Sequence, residues 1–151
     1  MTDLGCDSSI NQQWAELLNQ ALDARNYSYS PYSKYKVGAA LLTKGGKVYT
    51  GCNIENVGHS ATVCAERTAI FKAVSEGETD FEAIAVATEN GGSPCGVCRQ
   101  VMREFASDLV VIIGDITGQY QVLTLSDLLP YGFGPENLPL SWIKSRLNLT
   151  N

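Results

Sequence analysis

The chain has 151 residues, 44% of them apolar and 18% charged, a composition that fits one globular domain and not a disordered chain. Its 11 basic residues face 16 acidic ones, for a net charge of −5, the reverse of the balance with which nucleic-acid binders hold phosphates. That balance fits a small, weakly charged substrate better than a polymer, and no apolar run reaches the length of a bilayer span.

The opening stretch "MTDLGCDSSINQQ" is polar and lacks the basic flank and apolar centre of an export signal; a cytoplasmic protein is the expectation. From Ser9, read as an N-cap, apolar residues recur at Ile10, Trp14, Leu17, Leu18, Ala21 and Leu22, the spacing of one helix face. Pro31 then fixes a loop in "YSYSPYS", whose tyrosines read as subunit or core packing. The segments "KVGAALLT" and "GKVYTGC" flank Lys44-Gly45-Gly46 as a β-hairpin, and the polar "NIENVGHSATV" reads as a loop. A second helix is expected from about Cys64 to Ser75, stopped by Gly77. "FEAIAVAT" reads as a buried strand and "ENGGSP" as a loop ending in Pro94. A third helix follows from about Gly96 to Ala106, with Val101, Met102 and Phe105 inward. "LVVII" and "QYQVLTL" are strands around a Gly114–Gly118 turn, "SDLLP" is a short helical turn, and "YGFGPENL" opens the tail. This order predicts a three-layer α/β/α domain with a mixed sheet of about five strands.

Cys6, Cys52, Cys64, Cys95 and Cys98 are an odd set in a chain without an export signal, which argues for metal or redox chemistry over a disulfide framework. Cys95 and Cys98 have C-x-x-C spacing, one near the cap of the third helix and one a turn in, so both sulfurs can face one point. Cys64 opens the second helix. At such positions the unpaired N–H groups and the helix dipole favour thiolate over thiol. Three thiolates so held suit zinc, tetrahedral with its fourth position left for water. Glu66, two residues after Cys64, lies beside that position as a natural proton shuttle. Cys52 reads as core and Cys6 as uninvolved. Alone, C-x-x-C fits a structural zinc half-site or a redox pair, and Glu55 with Glu66 fits a glycosidase pair; the cysteines argue against the latter.

"CAE" and, further on, "PCGVC" resemble the signature of the zinc-dependent cytidine deaminase superfamily, an established pattern that these residues match. "SYSPYSKYKVGAALLT", "GCNIEN", "CAERTAIFKAVSEGE", "SPCGVCRQ" and "LLPYGFGPENL" are similar, in order and spacing, to the small cytidine deaminases from about residue 11 to 138. The resemblance implies a single deaminase domain over residues 1–151, zinc on Cys64, Cys95 and Cys98, and Glu66 as general acid and base. It also implies that Asn53 and Glu55 hydrogen-bond the ribose and that Tyr35, where the family usually has Phe, lies beside the base. Phe133 would close a neighbouring subunit's site in a homotetramer. The Ala65 N–H and the Ser93 carbonyl fall at turns suited to holding the base edge.

Arg67 has two readings: it offsets the formal charge of about −1 on zinc with three thiolates, or it is a structural ion-pair residue. His59 departs from the family, which usually has Tyr there, reaching the sugar's 5′ end from a neighbouring subunit. "ATENGGSPC" is also shorter than is common. The implied activity is hydrolysis of cytidine and deoxycytidine to uridine and deoxyuridine in pyrimidine salvage, with no nucleic-acid or membrane partner. Two alternatives stand beside it. A deaminase of a modified cytosine nucleoside is opposed by the intact "NIEN", and a non-catalytic zinc-stabilised binding module is opposed by a free Glu66.

Overall fold

Along β1 (Gly38–Thr43), Ala39 and Leu41 belong to one buried cluster and Ala40 and Leu42 to another, the alternation that sorts a strand's side chains onto two faces. The structure is a computed structural model describing residues 8–139 and 141; Cys6 and the tail "WIKSRLNLTN" lie outside the described residues. Five strands form one sheet in the order β2-β1-β3-β4-β5. The others are β2 (Val48–Cys52), β3 (Phe81–Ala87), β4 (Val110–Gly114) and β5 (Tyr120–Thr124). Only β3 and β4 pair in parallel; the other pairs are antiparallel. A parallel neighbour requires a crossover, and α3 (Gly96–Phe105) supplies it.

α1 (Ser8–Arg25) covers one face through Trp14, Leu17, Leu18 and Ala21, which pack on Ala83, Ala85, Ala87 and Ile112. It begins at Ser8, one residue ahead of the expected cap at Ser9. On the other face lie α2 (Ala65–Ser75) and α3, whose Ala69, Ile70 and Met102 join Ile84, Val86, Val111 and Ile113 in the larger cluster. Val101 and Phe105 are partly buried against it, as their spacing predicts. The three-layer α/β/α arrangement with a mixed five-stranded sheet is therefore present. Gly46, at φ +86, makes the hairpin turn, and its N–H bonds the Thr43 carbonyl. After β5, Thr124 and Asp127 cap the short α4 (Leu125–Leu128) reciprocally.

Register decides where the site forms. Gly38, the first residue of β1, pairs with Cys52 at the end of β2 and with Ala87 at the end of β3. The segments that leave these two strand ends run into α2 and α3, so both helices start at the same edge of the sheet. Gly51 seats α2: a Cβ there would lie 2.6 Å from the Ala65 carbonyl oxygen and from the Ala69 nitrogen.

Candidate active site

Cys64 is the N-cap of α2 and Cys95 the N-cap of α3, both in extended backbone, and neither side chain caps its own helix. Their sulfurs are thus free to turn outward from the helix starts. Cys98, one turn into α3, is fully buried. The Cys64 and Cys95 sulfurs stand 3.8 Å apart and those of Cys95 and Cys98 3.5 Å apart. Tetrahedral zinc with zinc–sulfur bonds of about 2.3 Å needs sulfurs about 3.8 Å apart, so the donor set fits that ion. Among the described residues, no other group of three His, Cys, Asp or Glu side chains comes together in this way.

The sulfurs are electrostatically unequal. Hydrogen bonds from Cys98, then from Arg67 and Cys95, pull the Cys64 thiol down to about 5 against the effect of burial. Its hydrogen bond to Cys64, together with burial, pushes the Cys98 thiol above the ordinary thiol range. One thiolate therefore forms readily, and a bound cation supplies the charge that the others require. Arg67 reaches this group: one of its terminal nitrogens is 3.5 Å from the Cys64 sulfur and 3.4 Å from the Thr62 carbonyl. Its Nε is buried and has no hydrogen-bond partner among the described residues.

Glu66 is 3% exposed. Burial pushes its carboxyl up to about 7; the Cys64 charge adds to the push, while its own backbone N–H and Arg67 hold it back. A carboxyl near neutrality is suited to taking and returning a proton. With Cys64 and Cys95 it lines a cavity of about 270 Å³, along with Ser33, Tyr35, Asn53, Glu55 and Ser93. A hollow of about 360 Å³ beside α1 and β2, where Tyr27, Cys52 and Lys72 meet, shares no lining residue with it. Glu66, Cys64 and Cys95 belong to the smaller space, and Cys98 lies buried behind them within sulfur–sulfur contact of Cys95.

Asn53 and Glu55 have most of their hydrogen-bonding capacity engaged. Asn53 Oδ1 accepts from the Val37 N–H at 2.9 Å and from the Ser28 hydroxyl, while Nδ2 donates to the Tyr35 carbonyl at 2.8 Å. Glu55 accepts from the backbone of Tyr32 and Ser33 and from the Ser33 hydroxyl. Each has about one bonding position left for a ligand. Both thus shape the loop over residues 28–37 as well as facing the cavity.

Ala65 is buried at the first turn of α2. Ser93 is held by Arg99, whose guanidinium donates to Ser93 Oγ at 2.9 Å, to the Pro94 carbonyl at 2.7 Å and to the Leu128 carbonyl at 2.6 Å. His59 and Phe133 do not line the cavity of their own chain. His59, at φ +35, stands edge-on to Tyr32 with ring centres 5.9 Å apart, and Phe133 is 58% exposed. Tyr27, Tyr29 and Tyr32 are exposed and outside the core of this chain. Cys52, expected in the core, is half-buried and donates to the Tyr27 carbonyl at 3.3 Å. Arg99, Asn90 and Thr88 carry no spacing signal, and reasoning from the sequence misses them.

Comparison with known proteins gives one consistent result. Residues 11–113 match the family model described as the cytidine and deoxycytidylate deaminase zinc-binding region. The cytidine deaminase of Halalkalibacterium halodurans is 50% identical over 125 residues, covering 81% of this chain and 95% of the relative. A blasticidin-S deaminase of Bacillus cereus is 34% identical over 132 residues, covering 81% and 93%. The crystal structure of a cytidine deaminase from Burkholderia pseudomallei superposes with a TM-score of 0.75 at 46% identity, over 78% of this chain and 97% of that one.

Proposed function

The chain belongs to the cytidine and deoxycytidylate deaminase family, and from that premise we propose that it hydrolyses cytidine and deoxycytidine to uridine and deoxyuridine, releasing ammonia. It is a hydrolytic enzyme and its cofactor is zinc. The observation that carries the reading is a cluster of three sulfurs, two of whose residues, Cys64 and Cys95, line the same cavity as the buried Glu66 carboxyl. A deaminase of modified cytosine nucleosides is the weaker reading, since the blasticidin-S relative is more distant than the cytidine deaminase.

Cys64, Cys95 and Cys98 hold the metal. Zinc, when bound, supplies a water activated for attack on C4 of the base. Glu66 holds a proton at N3 of cytosine, which makes C4 more electrophilic, and delivers one to the departing amino nitrogen at N4. Water contributes the oxygen of the new carbonyl, and ammonia carries away the amino group, so the reaction balances without a redox partner. The remaining N–H of Asn53 and the remaining acceptor position of Glu55 are offered to the ribose. Tyr35 flanks the base, and the Ala65 N–H and Ser93 carbonyl hold its edge. Arg67, donating to the Cys64 sulfur, withdraws charge from the three-thiolate site.

A homotetramer accompanies this reading. Exposed Tyr27, Tyr29, Tyr32, Tyr131 and Phe133 support it, since aromatic side chains are enriched at subunit interfaces. Phe133 and His59 then complete a neighbour's site, His59 at the nucleoside 5′ end. One domain carries the activity, in cytoplasmic pyrimidine salvage. Among the described residues, no helix is long and apolar enough to cross a membrane.

The test is direct. Purified zinc-loaded protein is given cytidine, deoxycytidine, cytosine, CMP and an aminoacyl cytosine nucleoside, with ultraviolet loss and ammonia followed together. The two simple nucleosides should be consumed with one ammonia each. No ammonia from either would overturn the proposal, and preference for the aminoacyl compound would move the chain to the weaker reading. Sedimentation of the same sample should give about four chain masses, in keeping with closed symmetric assembly.

A further inference from the structure

Two loops that line the cavity approach each other. Residues 28–37 bring Ser33 and Tyr35 to it, and residues 88–95 bring Thr88, Gly92, Ser93 and Cys95. Each loop has its own internal ties. In the first, Lys34 adopts φ +60 and its N–H bonds the Ser30 carbonyl. In the second, buried Thr88 accepts from the Gly92 N–H at 2.7 Å, Gly91 turns at φ +71, and Asn90 makes a β-bridge with Asp115.

One side-chain bond spans the two. The Tyr35 hydroxyl donates to Asn90 Oδ1 at 2.7 Å, between residues 55 positions apart. Room for that hydroxyl exists because position 92 is glycine: a Cβ there would lie 2.7 Å from it. The bond needs the Tyr35 hydroxyl, an acceptor oxygen at position 90 and the room that Gly92 leaves. A phenylalanine at position 35 could keep the ring but not the bond.

We propose that Asn90 is a positioning residue for nucleoside binding, holding the 28–37 and 88–95 loops at their working separation through the Tyr35 hydroxyl. This rests on the deaminase reading of the cavity. The bond joins neither Glu66 nor the sulfurs, so its loss loosens the ground-state fit and spares the chemical step. In kinetic terms KM rises and kcat holds. A neutral hydrogen bond between exposed groups corresponds to a KM increase of about two- to tenfold. A purely structural tie would instead alter stability and leave KM alone.

The experiment compares the parent with Tyr35→Phe, Asn90→Ala, their double variant, Asn90→Asp and Gly92→Ala. Tyr35→Phe and Asn90→Ala should each raise KM for cytidine by about two- to tenfold with kcat within about twofold, and the double variant should be no worse than the worse single. Asn90→Asp keeps an acceptor and should stay near the parent. Gly92→Ala should raise KM alone but add little in the Tyr35→Phe background, where the crowded hydroxyl is gone. Amide exchange in substrate-free protein gives a readout independent of catalysis: the Gly92 N–H should exchange faster in Tyr35→Phe and Asn90→Ala. Multiplying effects, a fall in kcat at constant KM, or unchanged exchange would each overturn the inference. A parent that binds zinc yet leaves cytidine intact would refute the functional reading instead, and the exchange data would still decide whether the bond orders the loop.

Discussion

Replacing Gly51 with alanine tests whether the sheet positions the catalytic helix. The added Cβ would fall 2.6 Å from the Ala65 carbonyl oxygen, 2.6 Å from the Ala69 nitrogen and 2.9 Å from Thr68 Cβ. Ordinary contact begins near 3.5 Å, so α2 must lift by about 0.9 Å. No flexible side-chain end can yield in its place, because the nearest atoms belong to the backbone of α2. Cys64 and Glu66 sit at the end of the helix that moves. Overpacking of this kind costs about 1–3 kcal/mol of stability. A misplacement near 1 Å costs about a hundredfold in turnover. Urea unfolding, zinc content and cytidine kcat should be measured on the same preparation. The expectation is a folded protein with weakened stability, partial zinc loss and kcat down by about two orders of magnitude. Parent-like kcat with full zinc would refute the view that the glycine seats the site.

Glu66→Gln should retain zinc and nucleoside but lose at least about a hundredfold in turnover, because Glu55, the other carboxylate lining the cavity, is engaged by Tyr32 and Ser33; near-parent kcat would sink the acid–base assignment, and loss of zinc would make Glu66 a ligand. Cys95→Ala should release most of the zinc, read by metal analysis, since it leaves two sulfurs of three. Arg67→Gln should keep zinc and lower turnover about tenfold, the effect of one charge-assisted hydrogen bond; unchanged turnover would return Arg67 to a structural role. The Ser33 hydroxyl bond, helped by the Tyr32 and Ser33 backbone, holds the Glu55 carboxyl below its ordinary value of 4.5. A depressed folded-state value means that the ordering of residues 32–33 is complete above about pH 4.5 and lost as pH falls through the lower folded value. At constant zinc occupancy KM for cytidine should therefore rise on that acid side, and Glu55→Gln should abolish the change.

The helices and strands were legible because their signals are local. Trp14, Leu17, Leu18 and Ala21 repeat at helical spacing, and "FEAIAVAT" is a short apolar run between turn residues. Cys64 and Cys95 could be assigned to helix starts for the same reason, and three thiols with an adjacent free acid restrict the chemistry sharply. Side-chain bonds between remote segments were not legible. Nothing near Asn53 announces that its amide braces Val37 and Tyr35. Tyr35 and Asn90 meet only after β1 and β3 have paired. Arg99 presents the same difficulty: its three acceptors include Leu128, 29 positions away. Such bonds depend on sheet register, which periodicity within any one segment does not contain.

The sulfurs are divided two and one. Cys95 and Cys98 share a single helical turn, while Cys64 lies 31 positions before Cys95 and arrives from the far side of β3. An ion shared by all three closes that length of chain into a ring, so part of its binding energy reports tertiary assembly. A molecule in which α2 has lifted keeps a two-sulfur half-site, and a half-site holds metal weakly. Resistance to a chelator thereby becomes a gauge of how firmly α2 rests on the sheet. It can register damage done far from any cysteine.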